Sequence, residues 1–194
     1  MGERMDGLED LAWWQARQDH YLAAATDRFV ASSPINVIDH LERARRDPSS
    51  AGVAWDLVDD AALARWTMRI DGWLDCADFD IVRLLTIWLG YRDQLPERVA
   101  ALLADRFTGF RYWYADPVDL PEGVVDERWY WSENHRLIFH TCELLAGQSF
   151  GADRFAATGM TAPEPRARAA DRLPAWRDEK ATGGLSERHS AVYY

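Results

Sequence analysis

The chain has 194 residues, 48% of them hydrophobic, and its 22 basic and 32 acidic side chains give a formal net charge of −10. This composition supports a buried core without disulfide or metal stabilisation, and the negative charge opposes nucleic-acid binding through a broad basic face. Two cysteines, Cys76 and Cys142, are too few for a disulfide framework and favour a reducing compartment.

Membrane and secretion signals are not recognisable in the sequence. The best apolar run, 81–91, is too short to span a membrane and is interrupted by Arg83. The first residues are acidic and lack a basic segment followed by an apolar stretch, which a secretory signal requires. We therefore expect a cytoplasmic protein that does not associate with membranes.

Helical periodicity extends over most of the chain, and prolines, glycines and capping serines divide it into segments. The predicted helices cover 8–32, 34–46, 58–75, 79–93, 96–108, 133–148 and 164–181. Ser33 and Ser132 are the expected N-caps of the second and sixth helices, and Pro174 is a candidate break in the seventh. Strand-type alternation is absent and loops are short. The sequence thus predicts an all-α fold of antiparallel helical hairpins in one domain, 1–194.

The segment 109–131 has no helical period and is rich in aromatic residues. Six of them lie between positions 112 and 131: Tyr112, Trp113, Tyr114, Trp129, Tyr130 and Trp131. One interpretation is that these rings fold back over the helices and complete the core. The other is that some of them line a cleft and stack on the apolar faces of sugars, with Trp113, Trp129, Tyr130 and Trp131 as candidates.

The sequence Ser132-Glu133-Asn134-His135 joins this segment to the sixth helix. A helix N-terminus carries unpaired N–H groups and the positive end of the helix dipole, so it suits anionic ligands. Asn134 can donate and accept hydrogen bonds, and His135 can exchange a proton near neutral pH. These residues predict a polar pocket at the helix start. The alternative is a helix cap beside a structural histidine.

Metal and nucleophile signals in the sixth helix are weak. His135 and His140 lie about 140° apart around the helix, so they do not converge on one ion. His140 shares a polar stripe with Glu143, but two ligands do not make a site. Cys142 lies on the buried face, where thiols are usually unreactive. We expect neither a metal nor a cofactor.

The region 129–148 resembles uncharacterised bacterial proteins of the α/α-toroid class. Those proteins carry the motif W-[ST]-E-N-H-x-x-x-F-H-T-x-E-x-L-A-G-Q. The matching residues are 129–135, 139–141 and 143–148, and segments 74–80, 110–113 and 186–194 fit the same pattern. The resemblance covers most of 70–194 and implies an incomplete α/α toroid. Because the sequence stops inside the tail motif, we expect it to be the N-terminal part of a larger toroid.

More distantly, the sequence is similar to toroid polysaccharide lyases of the alginate and heparinoid type. This resemblance implies that Asn134 and His135 form a catalytic dyad, with Tyr193 or Tyr194 as the tyrosine that follows it. Asn134 would help to neutralise a uronate carboxylate. His135 or a tyrosine would remove the C5 proton, and a tyrosine would protonate the leaving oxygen. The carboxylate would be bound by one of three arginines: Arg111, Arg128 or Arg136.

We therefore expect a carbohydrate-active protein, a lyase that cleaves uronate glycans by β-elimination, with a polysaccharide or oligosaccharide as partner. The polar residues Glu133 and His140 are further candidates for substrate contact. One alternative is a non-catalytic helical protein, either a glycan-binding scaffold or a truncated relative. Another is a glycoside hydrolase that uses two carboxylates, such as Glu127 and Glu133. Half a toroid would expose apolar faces, so we expect a further C-terminal domain or self-association.

Overall fold

The computed structural model describes residues 7–150, 154–161 and 163–185, with side chains from residue 11 onward. Regular secondary structure in these ranges is helical, apart from one isolated antiparallel bridge between Arg154 and Thr161. The prediction of an all-α fold is confirmed. None of the helices in this part of the chain combines the length and the apolarity needed to cross a bilayer.

The helices described follow the predicted order. They are α1 (Gly7–Ala25), α2 (Pro34–Arg46), α3 (Asp60–Asp71), α4 (Ala77–Tyr91), α5 (Glu97–Gly109), α6 (Glu133–Ser149) and α7 (Pro163–Gly183). Short 3-10 helices lie between α2 and α3, at Trp55–Leu57, and between α4 and α5, at Arg92–Gln94. The main differences from prediction are the ends of α1 and α3, which both come earlier.

The first of two compact units, Met1–Arg65, contains α1 and α2. α2 begins as predicted, with the hydroxyl of Ser33 accepting a hydrogen bond from the N–H of Asn36 (3.3 Å). α1 ends at Ala25 because the Asn36 side chain bonds the backbone beyond it. That amide donates to the carbonyl of Ala25 (2.8 Å) and accepts from the N–H of Val30 (2.7 Å).

The apolar side chains of α1 are only partly buried. Leu22 is buried, whereas Leu11 and Trp14 are more than half exposed. Hydrogen bonds to α2 come from the second half of α1, where the Tyr21 hydroxyl donates to Asp39 (3.3 Å). Leu22 lies in this same half of α1, so its burial agrees with the position of α2 along the helix.

The second compact unit, Trp66–Tyr194, has α4 in its core. α4 is buried along most of its length and packs against α6, which packs in turn against α7. Aromatic rings fill the interior: the Trp88 ring centroid lies 5.1 Å from that of Phe150 and 6.0 Å from that of Phe107. The burial predicted for α6 is confirmed, since Phe139 and Ala146 are fully enclosed.

The polar stripe of α6 is buried as well. His140 and Glu143, which the helical wheel places away from the apolar face, are 2% and 0% exposed. α7 covers them with two arginines. The Nε of Arg168 donates to Oε1 of Glu143 (2.6 Å), and Arg172 lies 3.5 Å from Oε2. The polar stripe of α6 is therefore an interior ion-pair surface.

α7 continues through Pro174, so the candidate break does not occur. Proline removes one N–H from the helix and leaves a carbonyl without its usual partner. Pro174 lies on an exposed part of α7, where water can bond that carbonyl.

Arg168 also joins α7 to the loop between α5 and α6. Its guanidinium bonds both carboxylate oxygens of Asp116, with 2.9 Å between Nη2 and Oδ2. Both of its acidic partners, Asp116 and Glu143, are buried. Burial raises the pKa of Glu143, and the positive charges of Arg168 and Arg172 offset that rise only in part. The guanidinium of Arg168 thus links α7, α6 and the loop between α5 and α6.

Replacing Arg168 by methionine should lower the free energy of unfolding by about 3–5 kcal/mol, because two buried carboxylates lose their shared partner. Urea denaturation followed by circular dichroism measures the change. Arg177→Met on the same helix is the control, since the exposed pair of Arg177 and Asp178 contributes about 0–1 kcal/mol. Equal losses in the two variants would contradict the role given to Arg168.

Candidate functional site

The aromatic loop, residues 110–132, divides its rings between the core and the surface. Tyr112 and Tyr130 are buried. The Tyr112 hydroxyl donates to the carbonyl of Phe107 (2.9 Å), and Tyr130 stacks on Phe139 with 4.5 Å between ring centroids. The core interpretation therefore holds for these two rings, including Tyr130, which the sequence offered as a substrate contact.

Three other rings of the loop are exposed. Tyr114, Trp129 and Trp131 retain 43%, 53% and 55% of their accessible surface, and we call them the exposed aromatic group. The ring centroids of Tyr114 and Trp131 are only 4.6 Å apart, so the two ends of the loop meet at the surface. Trp113 is half-buried and lies 4.8 Å from the ring of His140.

Asp126 holds the aromatic loop together from within. Its carboxylate accepts hydrogen bonds from Arg111 (2.8 Å), Arg128 (2.8 Å) and the Tyr130 hydroxyl (3.1 Å). Burial would raise the pKa of Asp126, but the two guanidinium groups outweigh it and hold that pKa below its usual range. The Arg128 guanidinium also lies 4.0 Å from the ring centroid of Trp73. Arg111 and Arg128 are thus engaged inside the protein.

Two other candidate substrate contacts pair with α7. Arg136 bonds Glu179 (2.9 Å), and Glu133 accepts from Lys180 (3.0 Å). Glu133 is buried, whereas Arg136 keeps 28% of its side chain exposed. Of the three arginines that the sequence offered for a carboxylate, Arg136 is the most accessible.

The start of α6 is capped through Asn134. Ser132 occupies the predicted N-cap position, but its hydroxyl donates to Oδ1 of Asn134 (2.6 Å) and makes no bond to a backbone N–H of the helix. The same Oδ1 accepts from the N–H of His135 (2.9 Å). The side-chain oxygen of Asn134 therefore stabilises the first turn of α6.

His135 forms a buried pair with Asp78 from the first turn of α4. Nδ1 of the imidazole lies 2.8 Å from Oδ2 of the carboxylate. An ionised carboxylate only accepts hydrogen bonds, so the pairing places the ring proton on Nδ1 and makes Nε2 the basic nitrogen. Asp78 is almost completely enclosed, at 1% exposure of its side chain, while 10% of the His135 side chain reaches the surface. The pair is therefore a buried carboxylate behind a partly accessible imidazole.

The turn between α3 and α4 is strained in two places. α3 ends in a Schellman-type turn, with the N–H of Leu74 bonded to the carbonyl of Arg69 (3.0 Å) and Trp73 at a left-handed φ of 57°. Cys76 is left-handed as well, at φ 64°. Such a conformation costs a residue with a side chain about 1–3 kcal/mol and often occurs at functional sites.

This turn brings two further groups to the histidine. One oxygen of Asp75, the sulfur of Cys76 and one ring nitrogen of His135 all lie within 4.8 Å of one another. The N–H of Cys76 also donates to the Asp75 carboxylate (2.8 Å). We call Asp75, Cys76, Asp78 and His135 the polar cluster.

His140 and Cys142 are interior residues of α6. Burial, together with the positive charges of Arg172, Arg136 and Arg168, lowers the pKa of His140 to about 4. Burial raises the pKa of the Cys142 thiol, as its predicted place on the buried face implies. The structure thus places His140 within the core rather than on a substrate surface.

Sequence reasoning found His135 but missed the residues that meet it. Asp78 is 57 positions away along the chain, and Asp75 and Cys76 precede it in the same turn. In the sequence, segment 74–80 bears on function only through its resemblance to the toroid proteins. Its unusual number of acidic residues just before and within a helix start was a signal, but helical periodicity carries no information about which helix ends meet.

The catalytic tyrosines and the family resemblance, both parts of the sequence-based hypothesis, are not tested by these observations. Tyr193 and Tyr194 are outside the described residues. No protein-family model, no curated protein and no solved structure matches the chain. The polar cluster and the exposed aromatic group are therefore the features of the described residues that bear on function.

The low pKa of His140 predicts a loss of stability in acid. The unfolded chain binds a proton near pH 6.5 and the folded protein only near pH 4, so the free energy of unfolding should fall as the pH drops between these values. The loss from this group is up to about 3 kcal/mol. Urea denaturation at a series of pH values should show a shallower dependence in His140→Phe.

The control is His20→Gln, because His20 is exposed. That variant should keep the pH dependence of the unaltered protein. If His140→Phe and the unaltered protein have the same pH dependence, His140 is not the buried neutral group described here.

Proposed function

We propose that the protein is carbohydrate-active, is built on an incomplete α/α toroid of helical hairpins, and cleaves uronate-containing polysaccharides by β-elimination. The observation that carries the proposal is the His135 imidazole, held by the buried carboxylate of Asp78, at the start of the helix that follows the exposed aromatic group. The pair supplies an oriented base, and the exposed aromatic group supplies a surface that can bind sugars.

The exposed aromatic group supports the binding of a glycan. Trp and Tyr rings present large apolar faces with little side-chain entropy to lose, and they are typical of binding surfaces. The rings here belong to a loop whose backbone is tied down by Arg111. Its Nε donates to the carbonyl of Asp116 (3.0 Å), and its Nη2 donates to that of Tyr114. A preorganised loop loses less conformational entropy when a ligand binds.

The Asp78–His135 pair supports proton transfer. In β-elimination, Nε2 of His135 takes the proton from C5 of the uronate, and the electron pair of that C–H bond forms the C4–C5 double bond as the C4–oxygen bond breaks. Asp78 stabilises the imidazolium that results. Asn134 would donate from Nδ2 to the substrate carboxylate, and Tyr193 or Tyr194 would protonate the leaving oxygen.

The two-carboxylate hydrolase is less well supported. Glu133 is buried and paired with Lys180, and Asp126 is occupied by Arg111 and Arg128. A glycoside hydrolase needs two carboxyl groups on opposite sides of an accessible bond. Glu127 is exposed, but neither Glu133 nor Asp126 provides the second group that such a mechanism requires.

The test is a screen of the full chain against uronate-containing and neutral polysaccharides in buffer with a chelator. Each sample is read for binding by affinity electrophoresis, for ultraviolet absorbance of an unsaturated uronate, and for new reducing ends. The proposal predicts binding with absorbance that rises together with reducing ends. His135→Gln should abolish both chemical signals while binding is kept, because the base is lost but the rings remain.

Trp131→Ala should weaken binding about tenfold, a loss of about 1–2 kcal/mol, and Trp14→Ala on α1 is the control with an equally exposed ring. Reducing ends without absorbance would replace elimination by hydrolysis. Binding without either chemical signal would leave a glycan-binding protein and contradict the lyase. No binding to any polysaccharide, from folded protein, would contradict the proposal as a whole.

A further inference from the structure

The polar cluster contains three different metal-binding groups close together. The Asp75 carboxylate, the Cys76 thiol and the His135 imidazole each place one ligand atom within 4.8 Å of the other two. In a tetrahedral zinc site, bond lengths of 2.0–2.3 Å put the ligand atoms about 3.5 Å apart. The ligand atoms would therefore have to approach one another by at most about 1.3 Å. The side chain of Asp75 is exposed and can turn toward the other two groups.

The local backbone holds two of these ligands in place. Cys76 takes its left-handed conformation at the residue before α4, and its N–H is bonded to the Asp75 carboxylate (2.8 Å). The turn is anchored on its other side, since the carbonyl of Trp73 accepts from the N–H of Glu127 (2.9 Å). A backbone that retains a strained cysteine at such a position is typical of ligand sites.

Asp78 supplies what a metal-bound histidine requires. Ligating histidines usually donate their other ring N–H to a carboxylate, which fixes the ring and raises its basicity, and the Nδ1 contact of His135 with Asp78 has that form. In the described part of the chain, Oδ1 of Asp78 is buried without a hydrogen-bond partner. Burying a carboxylate away from water costs free energy, and a hydrogen bond to an imidazole offsets that cost only in part. Positive charge at that imidazole would offset the cost.

We propose that Asp75, Cys76 and His135 bind a divalent zinc ion, with Asp78 orienting the histidine. A ligand set of one sulfur, one nitrogen and one carboxylate oxygen binds zinc in preference to magnesium or calcium. Three protein ligands leave a fourth position for water or a substrate oxygen. With Nδ1 bonded to Asp78, His135 binds the ion through Nε2, and Cys76 releases its proton on binding.

This inference does not depend on the proposed function. A zinc ion on Nε2 takes the nitrogen that proton transfer requires, so metal binding and elimination through His135 exclude one another at any one moment. Elimination that is measured in chelator should therefore be inhibited when zinc is added in excess over the chelator. Metal binding can be measured without any glycan, so failure of one proposal is distinguishable from failure of the other.

The test is titration of chelator-treated, desalted full-length protein with cobalt(II), followed by competition with zinc(II). Binding of one cobalt per chain at micromolar concentration should produce a thiolate-to-cobalt charge-transfer band in the near ultraviolet, and zinc should remove it. Cys76→Ala should abolish the band, while Cys142→Ala, which removes the buried thiol, should keep it. Asp78→Asn should weaken binding by about 10–100-fold.

Alkylation gives a readout that needs no variant. Iodoacetamide should modify the partly accessible Cys76 in native apo protein, with mass spectrometry to locate the adduct, and zinc should protect it. A cobalt band that persists in Cys76→Ala would overturn the proposal. So would the absence of both micromolar binding and zinc protection in the unaltered protein.

Discussion

Arg168 is the side chain on which the architecture of the second compact unit depends. It lies on α7 and bonds two buried carboxylates, Glu143 on α6 and Asp116 on the aromatic loop. Because an unpaired buried carboxylate is costly, these three segments gain stability only when they are assembled together. The aromatic loop therefore has a defined position although it lacks secondary structure, and its three exposed rings belong to an ordered surface.

The ionisable groups of this unit divide into two kinds. Some are neutralised by internal ion pairs, as Asp126 is by Arg111 and Arg128, which removes two of the three arginines that could have met a polyanion. The polar cluster is different, because its carboxylates Asp75 and Asp78 meet a thiol and an imidazole rather than a guanidinium. In a chain of net charge −10, a metal at the cluster would add the positive charge that the arginines do not present.

The helices and the side-chain cap of α2 were largely predictable from the sequence, since they depend on neighbours in the chain. Ser33 before Pro34 and the polar start of α6 at Ser132 are local signals. The early end of α1 was not predictable, because it depends on the Asn36 side chain eleven residues beyond Ala25. His135 could be singled out for its position, but its meeting with Asp78 and Cys76 depends on how α4 packs against α6. Periodicity likewise placed His140 and Glu143 on a polar stripe of α6, but it does not show which arginines cover them.

The proposed chemistry of the polar cluster depends on Asp78 orienting His135 so that Nε2 is the basic nitrogen. A long-range proton–nitrogen NMR spectrum of the histidine rings measures this at a pH where imidazole is neutral, with His135 assigned by the signals lost in His135→Gln. We expect a proton on Nδ1 of His135 in the unaltered protein and a shift toward the Nε2–H tautomer in Asp78→Asn. A proton on Nε2 in the unaltered protein, or a tautomer that ignores Asp78→Asn, would contradict it.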